Sequence, residues 1–243
     1  MLVPILLFMY PKESQASITS TTLTVAFFNA LSGSIAYSRM KRIDYRSGLL
    51  FAATAVPGAI IGAFLVDYLN RSAFQYIFGS VLIIIAAYLL ILPAKRLTSP
   101  FLSKWPARRQ ITDARGETHT YSFNLPLGMT IAFFVGVLSS ILGIGGGIIH
   151  VPALTQLLGF PAHLATATSH FMVAITTAAG IGTHFVAGTY GTDIGRVAVL
   201  SAGAIIGAQF GARLSNRVTG TLIVRLLGVG LAIVALRLLI APF

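Results

Sequence analysis

Cysteine is absent from this chain, which excludes disulfides and thiolate metal sites. Charge is scarce too: Asp, Glu, Lys and Arg make up 9% of 243 residues, where a soluble domain carries about a quarter. So few polar groups cannot cover a water-facing surface. Acidic residues are rarest, six against 17 basic ones, and no charged residue occurs in the 75 positions between Glu117 and Asp193. One bilayer span needs about 20 apolar residues, and that run alone holds three or more. The fold class is therefore an all-α polytopic membrane protein. No G-x-x-x-x-G-K-[ST] is present, which excludes a P-loop for ATP. The opening MLVPILLFMYPKESQAS has no basic n-region and no A-x-A site, unlike a cleaved signal peptide.

What the chain does have is ordered. Helical spans are predicted near 16–38, 47–68, 72–93, 125–142, 163–187, 197–213 and 220–241, with shorter apolar pieces at 2–10 and 147–158. The one long polar segment, 94–124, carries Lys95, Arg96, Lys104, Arg108, Arg109 and Arg115 against Asp113 and Glu117. The net charge of +11 follows the positive-inside bias rather than nucleic-acid binding, and this segment reads as a basic cytoplasmic loop. It divides a first transmembrane repeat, 1–93, from a second, 125–243.

The two halves resemble each other. ASITSTT (16–22) lies over ATATSHF (165–171) at an offset of 149, and at the same offset Gly33 meets Gly182, Asp44 meets Asp193, Gly58 meets Gly207 and Gly62 meets Gly211. With a one-residue gap, Val3-Pro4 meets Val151-Pro152. One register across a whole half indicates internal duplication. Nothing in the first half corresponds to LPLGMTIAFFVGVLSSILGIGGGIIH, so the first repeat lacks its first helix and glycine turn. An N-terminal truncation is the expected cause. Basic clusters at 39–46 and 94–124, with Arg213 and Arg217, all fall inside only if 125–158 enters and leaves on the cytoplasmic side as a broken hairpin. The repeats are then inverted, a common transporter architecture.

The densest motif is GIGGGIIHVP, 143–152. Irregular backbone at membrane depth is tolerated only where it is buried in protein or lines an aqueous cavity. A glycine break starts a new half-helix whose first N–H groups lack partners and, with the helix dipole, suit an anion. Gly145, Gly146 and Gly147 let backbone approach a ligand, His150 adds a donor, and Pro152 falls in the first turns of the new helix. Gly143 and Gly147 also satisfy the small-xxx-small packing pattern, as do Gly58/Gly62 and Gly207/Gly211. A dinucleotide fingerprint fails, because Ile148 stands at its last glycine.

Both halves open a span with hydroxyls. Thr19 and Ser20 pair with Thr168 and Ser169, beside His170, and each pair stands near a Val-Pro (Pro4 and Pro152). Hydroxyls and imidazoles donate to oxyanions without adding negative charge, although such residues also bond to their own helix. The spans hold almost no carboxylate, where cation pumps and proton relays keep one. No metal-ligand spacing and no catalytic triad stands out. His163, His170 and His184 share one helix face by spacing.

GIGGGIIHVPALTQLLGFPAHLATATSHF resembles the signature of the sulfite exporter TauE/SafE family of bacterial and archaeal permeases, and the likeness runs from Val3 to Phe243. The resemblance implies a secondary transporter of sulfur-containing anions, sulfite or organosulfonates, in the prokaryotic cytoplasmic membrane, without ATP or any other cofactor. It implies a binding site on the glycine turn, on Val3-Pro4 and Val151-Pro152, and on the two Thr-Ser pairs. The expected partners are a small anion, the lipid bilayer and a coupling proton carried by His150 or His170. The alternative function is a non-transporting membrane partner that docks through the basic 94–124 loop. An intramembrane enzyme finds no acid–base pair.

Overall fold

The computed structural model describes residues 2–10, 12–68, 71–91, 106–143, 145–188, 193–215 and 218–240. Nine α-helices lie among them: α1 (Leu2–Met9), α2 (Gln15–Arg39), α3 (Tyr45–Leu65), α4 (Arg71–Ile91), α5 (Leu125–Leu142), α6 (Gly147–Pro152), α7 (Ala162–Val186), α8 (Ile194–Ser215) and α9 (Gly220–Ile240). Helices α3, α5, α7 and α8 are each long and apolar enough to cross a membrane. The 21 residues of α3 rise about 31 Å, matching a hydrocarbon core of about 30 Å. Large side chains such as Phe64, Phe134, Val199 and Phe210 point outward, as lipid permits and water does not. The chain is a multi-pass, all-α membrane protein.

Helix directions follow from side-chain neighbours. Gly58 faces Phe133 and Gly62 faces Val137 and Ser140, so α3 and α5 run parallel. Gly33 abuts His170 while Leu23 abuts Gly180, which makes α2 and α7 antiparallel. Ser32 donates to the Ile205 carbonyl and Gln209 to the Ser32 carbonyl, while Arg196 reaches Glu13, so α8 runs with α2. Lipid tails give helices no hydrophobic reason to associate, and close backbone approach must supply the attraction. The α3–α5 crossing shows it: a Cβ on Gly58, Gly62 or Gly136 would collide with the carbonyl oxygen of Phe133, Val137 or Ala55.

The polar segment departs from a plain loop. Positions 94–105 lie outside the described residues, but β1 (Pro106–Thr112) and β2 (Thr118–Asn124) form an antiparallel hairpin pairing Arg109 with Tyr121. Its cations mask a period of two in which Tyr121 and Phe123 turn inward, onto Phe160 and, for Phe123, Phe51 as well, while Thr120 and Ser122 face out. The Tyr121 hydroxyl donates to Asp44 Oδ2 at 2.8 Å. Burial and the adjacent carboxylate both push that phenol up.

Asp113 anchors the turn. Its Oδ1 accepts from the Arg115 and Glu117 N–H groups at 2.8 and 3.1 Å, and its Oδ2 from Arg42 Nη2 at 3.2 Å. Burial alone would raise its carboxyl, but those two amides and the Arg42 guanidinium hold it below the usual carboxylate range. A carboxyl lowered on folding adds stability above its unfolded value, near 4, and loses it as pH falls through the folded value. The protection factors of the hairpin amides, measured against intrinsic exchange at each pH, should therefore fall on acidification below about pH 4, and Asp113→Asn should abolish that fall.

Candidate functional site

The glycine break is a reversal of the chain. Helix α5 ends at Gly143, with φ +63°, and Gly145 and Gly146 follow at +72° and +77°. The left-handed region costs an L side chain about 1–2 kcal/mol per residue, so three such positions in four call for glycine. Helix α6 then starts at Gly147 and widens after Pro152 into a five-residue π-turn, Ala153–Leu157. Pro152 is the sixth residue of α6 rather than one of its first turn, and the widened turn follows it directly. Leu158 returns to lie beside Gly128, near the start of α5. The hairpin 125–158 thus enters and leaves at one end of the molecule.

Its tip sits at mid-depth. Gly145 packs between Ala26 of α2 and Val173 and Thr177 of α7, the middle of two 25-residue helices. Val3 of α1 packs on Gly143, and α1 leads from there to Tyr10, whose ring lies under Arg196 at the far end. Helices α1 and α6 therefore start near one point and run in opposite directions.

Four buried polar atoms around this tip have no hydrogen-bond partner: Thr19 Oγ1, Ser140 Oγ, Ser169 Oγ and His150 Nε2. Thr19 touches Gly143, Ser169 stands over Gly147, and the His150 ring lies against Gly146, whose carbonyl is 3.1 Å from Nδ1. Ser140 lies in the last turn of α5. Each unpaired buried group costs about 1–3 kcal/mol. Four around one turn describe a polar cradle rather than a packing joint.

The structure separates the predicted residues. Gly145, Gly146, Gly147, His150, Thr19 and Ser169 converge. Thr168 Oγ1 instead accepts from the Asp44 N–H at 3.0 Å, and Ser20 Oγ donates to the Ser17 carbonyl at 2.9 Å, so each Thr-Ser pair leaves one hydroxyl unpaired. Pro152 is buried beyond the cradle, and Pro4 lies in α1 with its side chain outside the described residues. His170 lies to the side, its ring edge-on to Tyr37 at 5.3 Å and Nδ1 3.0 Å from the Thr166 carbonyl. His163 opens α7 and His184 closes it, so neither reaches the tip. Sequence reasoning missed Ser139 and Ser140, whose adjacency to the glycines was the available signal. It also missed Asn29, a lone amide on the cavity wall.

A cavity of about 750 Å³ joins the cradle to one end of the molecule. It runs from Gly143 and Gly147 past Val173 and His170 to Tyr37 and Ser215. At the opposite end Arg196 bridges Glu13 at 2.8 Å and Asp193 at 3.0 Å, tying the α1–α2 link to α8. Asp113, Glu117 and His119 bring potential metal ligands within 4.8 Å of one another, but both Asp113 oxygens are already taken by amides and Arg42.

A mid-membrane polar cradle opening into a cavity is the anatomy of a transporter, and the comparisons agree. The model of the family described as sulfite exporter TauE/SafE matches residues 1–238. The chain is 32% identical over 219 residues to the "Probable membrane transporter protein YunE" of Bacillus subtilis, covering 90% of this chain and 79% of that one. It is 23% identical over 182 residues to a "Probable membrane transporter protein" of Methanocaldococcus jannaschii, covering 74% and 60% respectively. No solved structure matches. The chain belongs to the TauE/SafE sulfite exporter family and is a membrane transporter.

Proposed function

We propose that the chain is a permease for a small sulfur-containing oxyanion, sulfite or an organosulfonate, which binds at the glycine tip. The observation that carries this reading is the set of unpaired polar atoms on Thr19, Ser140, Ser169 and His150. None of them brings negative charge, and among the described residues no Asp or Glu lines the cavity. The anion would enter from the end where Arg39, Arg42, Arg115 and Arg213 gather in one pocket, which is the cytoplasmic side by the positive-inside bias. Loops 39–46 and 94–124 face the cytoplasm in this orientation. His170, on the cavity wall, is the candidate proton carrier.

The halves 1–93 and 125–243 act as inverted repeats. Asp44 accepts from the Ser47 N–H and Asp193 from the Arg196 N–H, the same cap at an offset of 149 on helices of opposite direction. Rocking of one half against the other would open the cradle to each side in turn.

The test is flux of labelled sulfite into proteoliposomes, with unlabelled sulfonates as competitors. Ser169→Ala and Thr19→Val each remove an unpaired group, so each should leave thermal stability equal or higher while lowering flux about tenfold or more. Unchanged flux in both variants would remove the cradle from the transport path. The docking alternative expects deletion of 98–120 to remove function. This hairpin covers Asp44 and Phe51, however, and its loss should also destabilise the folded protein, so flux in proteoliposomes without any partner is what separates the two readings.

A further inference from the structure

A second cavity, of about 250 Å³, lies at the basic end, separate from the transport cavity. Arg39, Met40 and Arg42 at the end of α2 form one wall, Asp113 and Arg115 of the hairpin turn another, and Gln209 and Arg213 of α8 the third. Four guanidinium groups thus share one concavity with a single carboxylate. That carboxylate is spent: Asp113 is fully buried, pairs with Arg42, and accepts from two backbone amides. Among the described residues no carboxylate pairs with Arg39 or Arg213. Cations drawn from three separate chain segments repel one another in such a space unless an anion joins them.

We infer that this pocket binds a phosphate group, with Arg39, Arg115 and Arg213 as its charged donors. Guanidinium forks match phosphate oxygens bidentately. The cavity far exceeds the roughly 10–15 Å³ that one water requires. Basic pockets between helices at the cytoplasmic surface take anionic lipid headgroups, and a free phosphate presents the same oxygens. The ligand would bridge α2, α8 and the hairpin. The site does not depend on the identity of the transported anion.

Two measurements on the full chain decide the matter. Native mass spectrometry of detergent-solubilised protein titrated with phosphatidylglycerol, against phosphatidylcholine, reads headgroup binding. Thermal unfolding with inorganic phosphate, against chloride at equal ionic strength, reads the free ion. Arg213→Gln and Arg39→Gln, both at exposed helix ends, should each weaken the phosphate-bearing ligand about tenfold. Arg46→Gln removes an equal charge at the same end but outside the pocket, and should change binding less than twofold. Lipid binding with no response to inorganic phosphate assigns the site to a headgroup, and the converse assigns it to a soluble phosphate. Failure of both ligands, or equal weakening by Arg46→Gln, overturns the inference.

Discussion

Gly146→Val is expected to abolish transport while leaving a folded protein. Two effects add at this position. Its φ of +77° lies in the left-handed region, where a β-branched residue is strained by about 1–3 kcal/mol. Its Cβ would also stand 2.9 Å from His150 Nδ1 and 3.0 Å from Ser139 Oγ, so the His150 ring must swing out of the cradle. Gly159 separates these effects, because its φ is +70° but nothing lies within 4 Å of a Cβ there. Gly159→Val should thus show the same loss of a few degrees in Tm with transport retained. In Gly146→Val the flux should fall a hundredfold or more, since a misplacement of about 1 Å in a positioned group costs about that much. Equal flux in the two variants would mean that the His150 face of the turn takes no part in binding.

Much of this was legible in the sequence because the bilayer simplifies the reading. A helix is the natural way to satisfy backbone polar groups in lipid, so apolar length alone located the helices, and the placement of the basic clusters across the repeat pointed to antiparallel α2 and α7. The glycine turn was legible for a similar reason, since successive glycines in an apolar run have few structural uses. The division of labour among hydroxyls was not. Thr168 and Thr19 occupy equivalent positions, yet the Asp44 N–H claims one hydroxyl and nothing claims the other. That difference depends on where a loop 124 residues away in sequence comes to rest. The hairpin was hidden because its arginines and hydroxyls outweigh the alternation of Tyr121 and Phe123. The Asp44–Tyr121–Arg109 network joins residues whose roles appear only when β2 lies over the start of α3, with Arg109 Nε 3.7 Å from Asp44 Oδ2.

Gly58→Leu and Gly207→Leu, equivalent in sequence, should fail in opposite ways. Gly58 lies in the close α3–α5 crossing, where a Cβ would meet the backbone of Phe133 and Val137. Backbone of a regular helix cannot yield as a side-chain tip can, and overpacking of even an ordinary core costs about 1–3 kcal/mol. The α3–α5 pair must therefore separate, taking with it the register that places Ser140 and the glycine tip. Gly58→Leu should not be recovered as a monodisperse protein. Gly207 lies on α8, of whose apolar window only 11% is buried, against 61% for α7, and its face lines the large cavity with nothing within 4 Å. Leucine there exchanges the poorest non-proline helix former for a good one, a gain of about 0.8 kcal/mol. The variant should unfold at the same temperature as the parent or slightly higher, with flux lowered at least tenfold because its side chain obstructs the route from Ser215 to Gly147. Size-exclusion profiles and proteoliposome flux on the pair read both halves of the prediction. If Gly207→Leu transports normally, the anion does not pass along α8, and the route must lie between α2 and α7 alone.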